Sequence, residues 1–143
     1  MKFGLDRLLA SRALRKALHG KRVALLAHPA SVTRELEHSI DALAGAGVKL
    51  AAALGPQHGL RGDKQDNMVE SPDFVDPVLG IPVFSLYGAV RRPTTQMMAA
   101  FDVLLVDLQD VGCRIYTFIT TLRWNTSSFT KPAKNSLTCS NRA

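Results

Sequence analysis

Four short polar segments carry the side chains that could do chemistry. They are His28-Pro29-Ala30-Ser31, Gly55-Pro56-Gln57-His58-Gly59-Leu60-Arg61-Gly62, Ser85-Leu86-Tyr87-Gly88 and Asp107-Leu108-Gln109-Asp110-Val111-Gly112-Cys113-Arg114. The last is the richest. Asp107 and Asp110 are three residues apart, and a carboxylate so placed can act as acid, base or ligand holder. Asp110 can equally cap a helix starting near Ile115, with Arg114 neutralising it. Gln109 and Arg114 add hydrogen-bond donors, and Tyr116 lines either a pocket or the first helical turn. His58 lies between Pro56 and Gly59, where backbone must approach something closely. His28 reads either as a ligand-facing imidazole or as a core histidine bonded to backbone. Arg61 offers a planar fork to an anion, or a partner to Asp63. Glu70 reads as a functional carboxylate or a solvated one, and the acids of Asp63-Lys64-Gln65-Asp66-Asn67 read first as turn chemistry. Ser85 lacks the flanking glycines of a nucleophile elbow, which argues against a serine hydrolase.

These segments need elements that bring them together. Arg22 to His28 is a nearly continuous apolar run and reads as a strand buried on both faces, as in a parallel sheet. Val48–Leu54, Pro82–Tyr87 and Asp102–Leu108 read the same way. Residues 5–18 place Leu5, Leu8, Leu9, Leu14 and Leu18 near helical spacing, and Gly20 is a natural stop. A second helix is expected from Thr33, with Leu36, Ile40 and Leu43 on one face and Glu35 and Glu37 in its first turn. Pro93-Thr94 opens a short helix through Met97 and Met98, and another begins at Ile115–Leu122. The connection from Gly55 to Gly80 is far longer than the usual strand-to-helix link. The alternation predicts an α/β, Rossmann-like, doubly wound and mainly parallel sheet, incomplete at its C-terminal side. In such sheets ligands bind at the carboxyl ends of the strands, and the four polar segments sit there.

Composition narrows the function. No apolar run reaches the roughly 18 residues needed to cross a membrane. The first residues lack a secretory leader, so the expectation is a cytoplasmic protein that binds no membrane. Cys113 and Cys139 are isolated and suggest neither a metal site nor a disulfide framework. Of the net charge of +6, +4 lies in residues 123–143, leaving 14 basic against 12 acidic groups before them. Arg91-Arg92 is the sole basic pair in the middle of the chain, which argues against nucleic acid as a partner. No GxGxxG follows the first strand and no GxxxxGK[ST] occurs, so neither a dinucleotide nor a P-loop nucleotide cofactor is expected. From Asn125 the chain turns rich in Ser, Thr, Asn and Lys without apolar periodicity. The expected division is a partial Rossmann-like domain over 1–122 and an atypical tail over 123–143, disordered or arising from a frameshift or artificial end.

Several blocks then resemble one known family. They are Gly55-Pro56-Gln57-His58-Gly59, Arg61-Gly62, Gln65–Ser71, Pro82–Gly88, Pro93-Thr94 and Asp107–Ile119, in that order. They look like the signature blocks of a family first catalogued as a domain of unknown function and later tied to exo-β-N-acetylmuramidases. The resemblance runs from about Phe3 to Leu122. It implies a Rossmann-like N-terminal domain followed by a second domain, in members several hundred residues long. It also implies hydrolysis of terminal β-linked N-acetylmuramic acid from peptidoglycan fragments, as in peptidoglycan recycling in bacteria, without cofactor or metal. The small-molecule partner would be a muramyl sugar; the oligomeric state is left open. Catalytic candidates are Glu70, Asp107, Asp110 and His58; sugar-binding candidates are His28, Gln57, Arg61, Ser85, Gln109, Arg114 and Tyr116. One departure matters: many members carry Glu where this chain has Gln57, and an amide cannot give or take a proton as a carboxyl can. A non-catalytic muramyl-sugar-binding module and a non-functional gene fragment are the alternatives, and the fragment alone is expected to be inactive.

Overall fold

The computed structural model describes residues 3–62, 70–109 and 117–128. Five strands form one sheet: β1 (Val23–Ala27), β2 (Leu50–Gly55), β3 (Phe74–Val75), β4 (Pro82–Ser85) and β5 (Val103–Asp107), in spatial order β3-β4-β2-β1-β5. The apolar runs became the four parallel strands, as their two-sided burial requires. All five residues of β1 and of β5 are buried. Taken in chain order, the parallel strands lie three-two-one-four, the arrangement of a doubly wound sheet. Leu26 stands opposite Leu54, Leu54 opposite Phe84, and Ala27 opposite Asp107. The carboxyl ends of all four therefore share one rim.

Helices cover both faces. Alternation along the strands sends Val23, Leu25, Ala27, Val103 and Leu105 to one side, against Leu5 and Leu8 of α1 (Gly4–Ala10) and Ile40 and Leu43 of α3 (Ser39–Gly45). Ala24, Leu26, Leu104 and Val106 face the other side, with Met97 and Met98 of α4 (Thr95–Ala99), Phe101 and, more peripherally, Leu122 of α5 (Phe118–Ser128).

Three expectations needed correction. The helix anticipated over 5–18 is two helices, α1 and α2 (Arg12–Leu18), broken at Ser11, whose hydroxyl accepts from Leu14 N–H and caps α2. The helix expected from Thr33 starts at Ser39 instead. Thr33 N–H donates to Glu37 O at 2.8 Å, Val32 bridges His38, and Leu36 turns left-handed (φ 65°) and is 80% exposed, so residues 32–38 close a loop. α3 is capped by His38, and the acid in its first turn is Asp41 rather than Glu35 or Glu37. The 55–80 connection also holds an unforeseen strand: β3 pairs antiparallel with β4 at the sheet edge. The last helix, α5, runs to Ser128, across the change of composition at Asn125. Buried Phe118, Thr121 and Asn125 give it an inward stripe, and Asn125 Nδ2 donates to Thr121 O. Residues 129–143 of the atypical tail lie outside the described residues.

Candidate functional site at the carboxyl rim

The reversal of strand order between β1 and β5 opens the crevice where doubly wound sheets bind ligands. His28 follows β1 directly, only 2% exposed. Its ring Nε2 is 3.0 Å from Gln109 O; a carbonyl only accepts, so Nε2 carries a proton. Its Nδ1 is 2.8 Å from Ser31 Oγ, and its backbone N–H donates to the same oxygen at 2.9 Å. The Ser31 hydroxyl in turn reaches Asp107 O. One buried serine thus joins the tip of β1 to the tip of β5. The ring of Phe118 meets that of His28 edge to face, with centroids 4.6 Å apart. Of the two readings left open by the sequence, this geometry has the features of the core histidine bonded to backbone, placed at the strand tips.

Alternation places Asp107 on the α1 and α3 face, opposite to His28. Its side chain is largely buried, and among the described residues Oδ2 has no hydrogen-bond partner; Asp6 Oδ2 and Ser39 Oγ are buried without one there too. Burial pushes the Asp107 carboxyl above its ordinary range. Nearby Ser39 and His28 oppose the rise and Asp6 adds to it.

The turn after β2 presents Gln57 and His58. Gly59 N–H donates to Pro56 O, and His58 sits at the third position of that turn with φ 71°, a conformation usually left to glycine. The backbone folds so tightly over the strand end that a Cβ on Gly55 would come within 3.1 Å of Leu60 N. Thr117 Oγ1 donates to Gln57 Oε1 at 3.4 Å, linking this turn to the start of α5. Arg61 points elsewhere. It forks onto both oxygens of Asp41 at 2.6 and 2.7 Å and lies 3.5 Å from buried Asp76, which also caps the Val78 and Leu79 amides. Arg61 therefore clamps the 56–80 connection to α3, and the anticipated Asp63 pairing involves a residue outside the described ones. The fork draws the Asp41 carboxyl down. His38, whose Nε2 donates to His28 O, is held below its ordinary pKa mainly by burial.

At β4, Ser85 Oγ accepts from Tyr87 N–H, and Ser85 N–H donates to Asp73 Oδ1 at 2.7 Å. Ser71 N–H donates to Tyr87 O, and a Cβ on Gly88 would strike the Ser71 carbonyl. Glu70 is exposed, 4.0 Å from Arg91. His28, Gln57, Gln109, Ser31 and Phe118 are thus one contiguous group; Ser85 and Glu70 form a second cluster farther along the rim. Asp110, Arg114 and Tyr116 lie outside the described residues. Sequence reasoning named Ser31 only within the first polar segment, without a role, and passed over His38 and Asp76. The signal for Ser31 was its place three residues after His28, within reach of that residue's own amide.

Among the described residues, no group of three or more His, Cys, Asp or Glu side chains converges as metal ligands would. No helix among them is long and apolar enough to cross a membrane.

Comparison with known proteins follows this geometry. The family model described as exo-beta-N-acetylmuramidase NamZ, N-terminal, matches residues 23–137. The peptidoglycan beta-N-acetylmuramidase NamZ of Bacillus subtilis (strain 168) is 43% identical over 122 residues, covering 85% of this chain and 29% of that protein. Two crystal structures of DUF1343 family proteins from Bacteroides fragilis NCTC 9343 are also similar. One superposes with a TM-score of 0.81 at 37% identity, over 98% of this chain and 34% of the other. The second has a TM-score of 0.75 at 25% identity, over 99% of this chain and 35% of the other. The chain spans about a third of the length of the relatives it matches.

Proposed function

Since the chain belongs to the family of exo-beta-N-acetylmuramidase N-terminal domains, we propose that its strand-tip rim is one wall of a glycoside-hydrolase site for muramyl sugars derived from peptidoglycan. The observation that carries this reading is the Ser31 bridge, which holds His28 and the Gln109 carbonyl in the β1/β5 crevice. Buried, cross-strand hydrogen bonding of that kind fixes donors and acceptors where a sugar hydroxyl or amide would meet them.

Glycoside hydrolysis ordinarily uses two carboxyl groups flanking the scissile bond. Glu70, Asp107 and Asp110 are the supply here. Asp107, whose carboxyl burial pushes up, has its side chain turned to the α1 and α3 face rather than toward the crevice. Glu70, exposed on the rim, and Asp110 are the carboxyls we assign to the sugar, with His58, His28, Gln57 and Gln109 as its polar contacts. The remaining two-thirds of the relatives' length would supply the opposite wall, so this chain alone is expected to bind weakly and turn nothing over.

The test is a chimera in which residues 1–122 replace the matching segment of the Bacillus subtilis relative. It is expected to release N-acetylmuramic acid from a chromogenic β-muramide, and Glu70→Gln in the chimera is expected to lower kcat at least about a hundredfold. A folded chimera that releases nothing would defeat the reading. Gln57, held by the Thr117 hydroxyl and lacking a carboxyl, favours a second reading: a muramyl-sugar-binding module without catalysis. A chimera that binds the sugar without cleaving it, and cleaves after Gln57→Glu, would establish that one instead.

A further inference from the structure

The arginines of the described chain are held in different ways. Arg22 forks onto Asp102 and Arg61 onto Asp41, so both spend their planar edges on internal carboxylates. Arg91 does not. Its guanidinium lies over the Tyr87 ring, 3.8 Å from the centroid, a contact that uses its face and leaves its N–H edge available. Its one ionic neighbour among the described residues is Glu70, at 4.0 Å and with both side chains well exposed, a loose pair that another carboxylate could displace.

The platform beneath Arg91 is built rather than loose. Tyr87 stands two residues beyond the tip of β4, its amide bonded to Ser85 Oγ and its carbonyl to Ser71 N–H. Ser71 and Gly88 approach so closely that no side chain fits at position 88. The ring, and with it the guanidinium, is fixed to the same rim as the crevice. Arg92 differs: it stands 5.3 Å from the Trp124 ring, which lies six residues into α5, roughly 9 Å along the helix from the rim residue Phe118.

We infer that Arg91 is the carboxylate-recognising group of the rim, taking the lactyl carboxylate that distinguishes N-acetylmuramic acid from N-acetylglucosamine. The inference rests on the sugar-site reading and adds to it the residue that sets sugar specificity. The two sugars differ only in the lactyl ether on O3, so a site that prefers the first must pay attention to that acid, and a stacked guanidinium presents two parallel donors to it.

Titration of the folded 143-residue chain with each sugar, followed by NMR or calorimetry, tests this. The chain is expected to bind N-acetylmuramic acid at least about tenfold more tightly than N-acetylglucosamine. Arg91→Gln, an exposed change that leaves the fold intact, is expected to bring the two affinities to parity without weakening N-acetylglucosamine, while Arg92→Gln keeps the preference. A preference that survives Arg91→Gln, or a wild-type chain that binds both sugars equally, overturns the assignment while sparing the sugar site itself. If the folded chain binds neither sugar, the same titration is made on the chimera with the Bacillus subtilis relative, and binding of neither sugar there removes both.

Discussion

At the carboxyl end of the sheet, His28, Ser31 and Asp107 are at most 8% exposed and exchange hydrogen bonds across strands more than 70 residues apart in sequence. At the amino end of the same strands, Arg22 and Asp102 make a well-formed fork with side chains 53% and 42% exposed. A groove of about 480 Å³ opens there too, lined by Arg15, His19, Lys21 and Lys49 among others. Among the described residues the amino end thus gathers exposed positive charge around a groove, and the carboxyl end holds the buried and strained groups. Burial of polar atoms costs free energy that solvent-exposed ion pairs never face. The end that bears this cost is the one we propose for the sugar.

Substitutions at the two ends should separate accordingly. Ser31→Ala removes the partner of the His28 amide, the His28 ring and the Asp107 carbonyl together, and is expected to cost about 3 kcal/mol in urea unfolding. A cost below about 1 kcal/mol would mean that the bridge contributes little. Gly88→Ala drives a methyl into the Ser71 carbonyl and should cost about 2 kcal/mol in urea unfolding, the scale of overpacking; a loss below about 0.5 kcal/mol would mean that the close approach yields freely.

Asp107 gives a pH-dependent difference. Its carboxyl keeps its proton to higher pH when folded than when unfolded, so its contribution is complete below about pH 4 and is lost as pH rises through the folded value. Asp41, drawn down by Arg61, acts in the opposite sense and loses its contribution as pH falls. The comparison must therefore be with Asp107→Asn, which should gain on the wild type as pH rises from about 4 to neutrality. A gap between the two that is independent of pH would remove Asp107 from the account. Arg22→Ala at the amino end should be the mildest of the four, its exposed fork being screened by water and salt; a loss as large as that of Ser31→Ala would erase the contrast between the ends.

The sequence made much of this legible, for identifiable reasons. Strands buried on both faces leave continuous apolar runs, so β1, β2, β4 and β5 could be read, and the polar segments that follow them gather at one rim as the parallel order requires. Two-residue β3 left no pattern, because an edge strand is stabilised by its neighbour rather than by its own composition. The loop at 32–38 mimicked a helix start because Glu35 and Glu37 precede an apolar stretch; the left-handed turn at Leu36, which no spacing records, moved the cap to His38. Within the site, residue types were readable and partners were not. Arg61 was expected to meet an anion or Asp63, and its fork to Asp41 and Asp76 depends on how the long connection folds back over α3. The Ser31 bridge spans 76 residues and exists only once β1 and β5 lie side by side.

The most direct test of the claim that the carboxyl rim is the sugar-binding end is an amide chemical-shift map of the labelled chain as N-acetylmuramic acid is added. The account predicts shifts at His28, Ser31, Gln57, His58, Tyr87 and Gln109, with Lys21, Lys49 and Ala51 unmoved. Shifts confined to the amino-end groove, or none at either end in a folded sample, would contradict it.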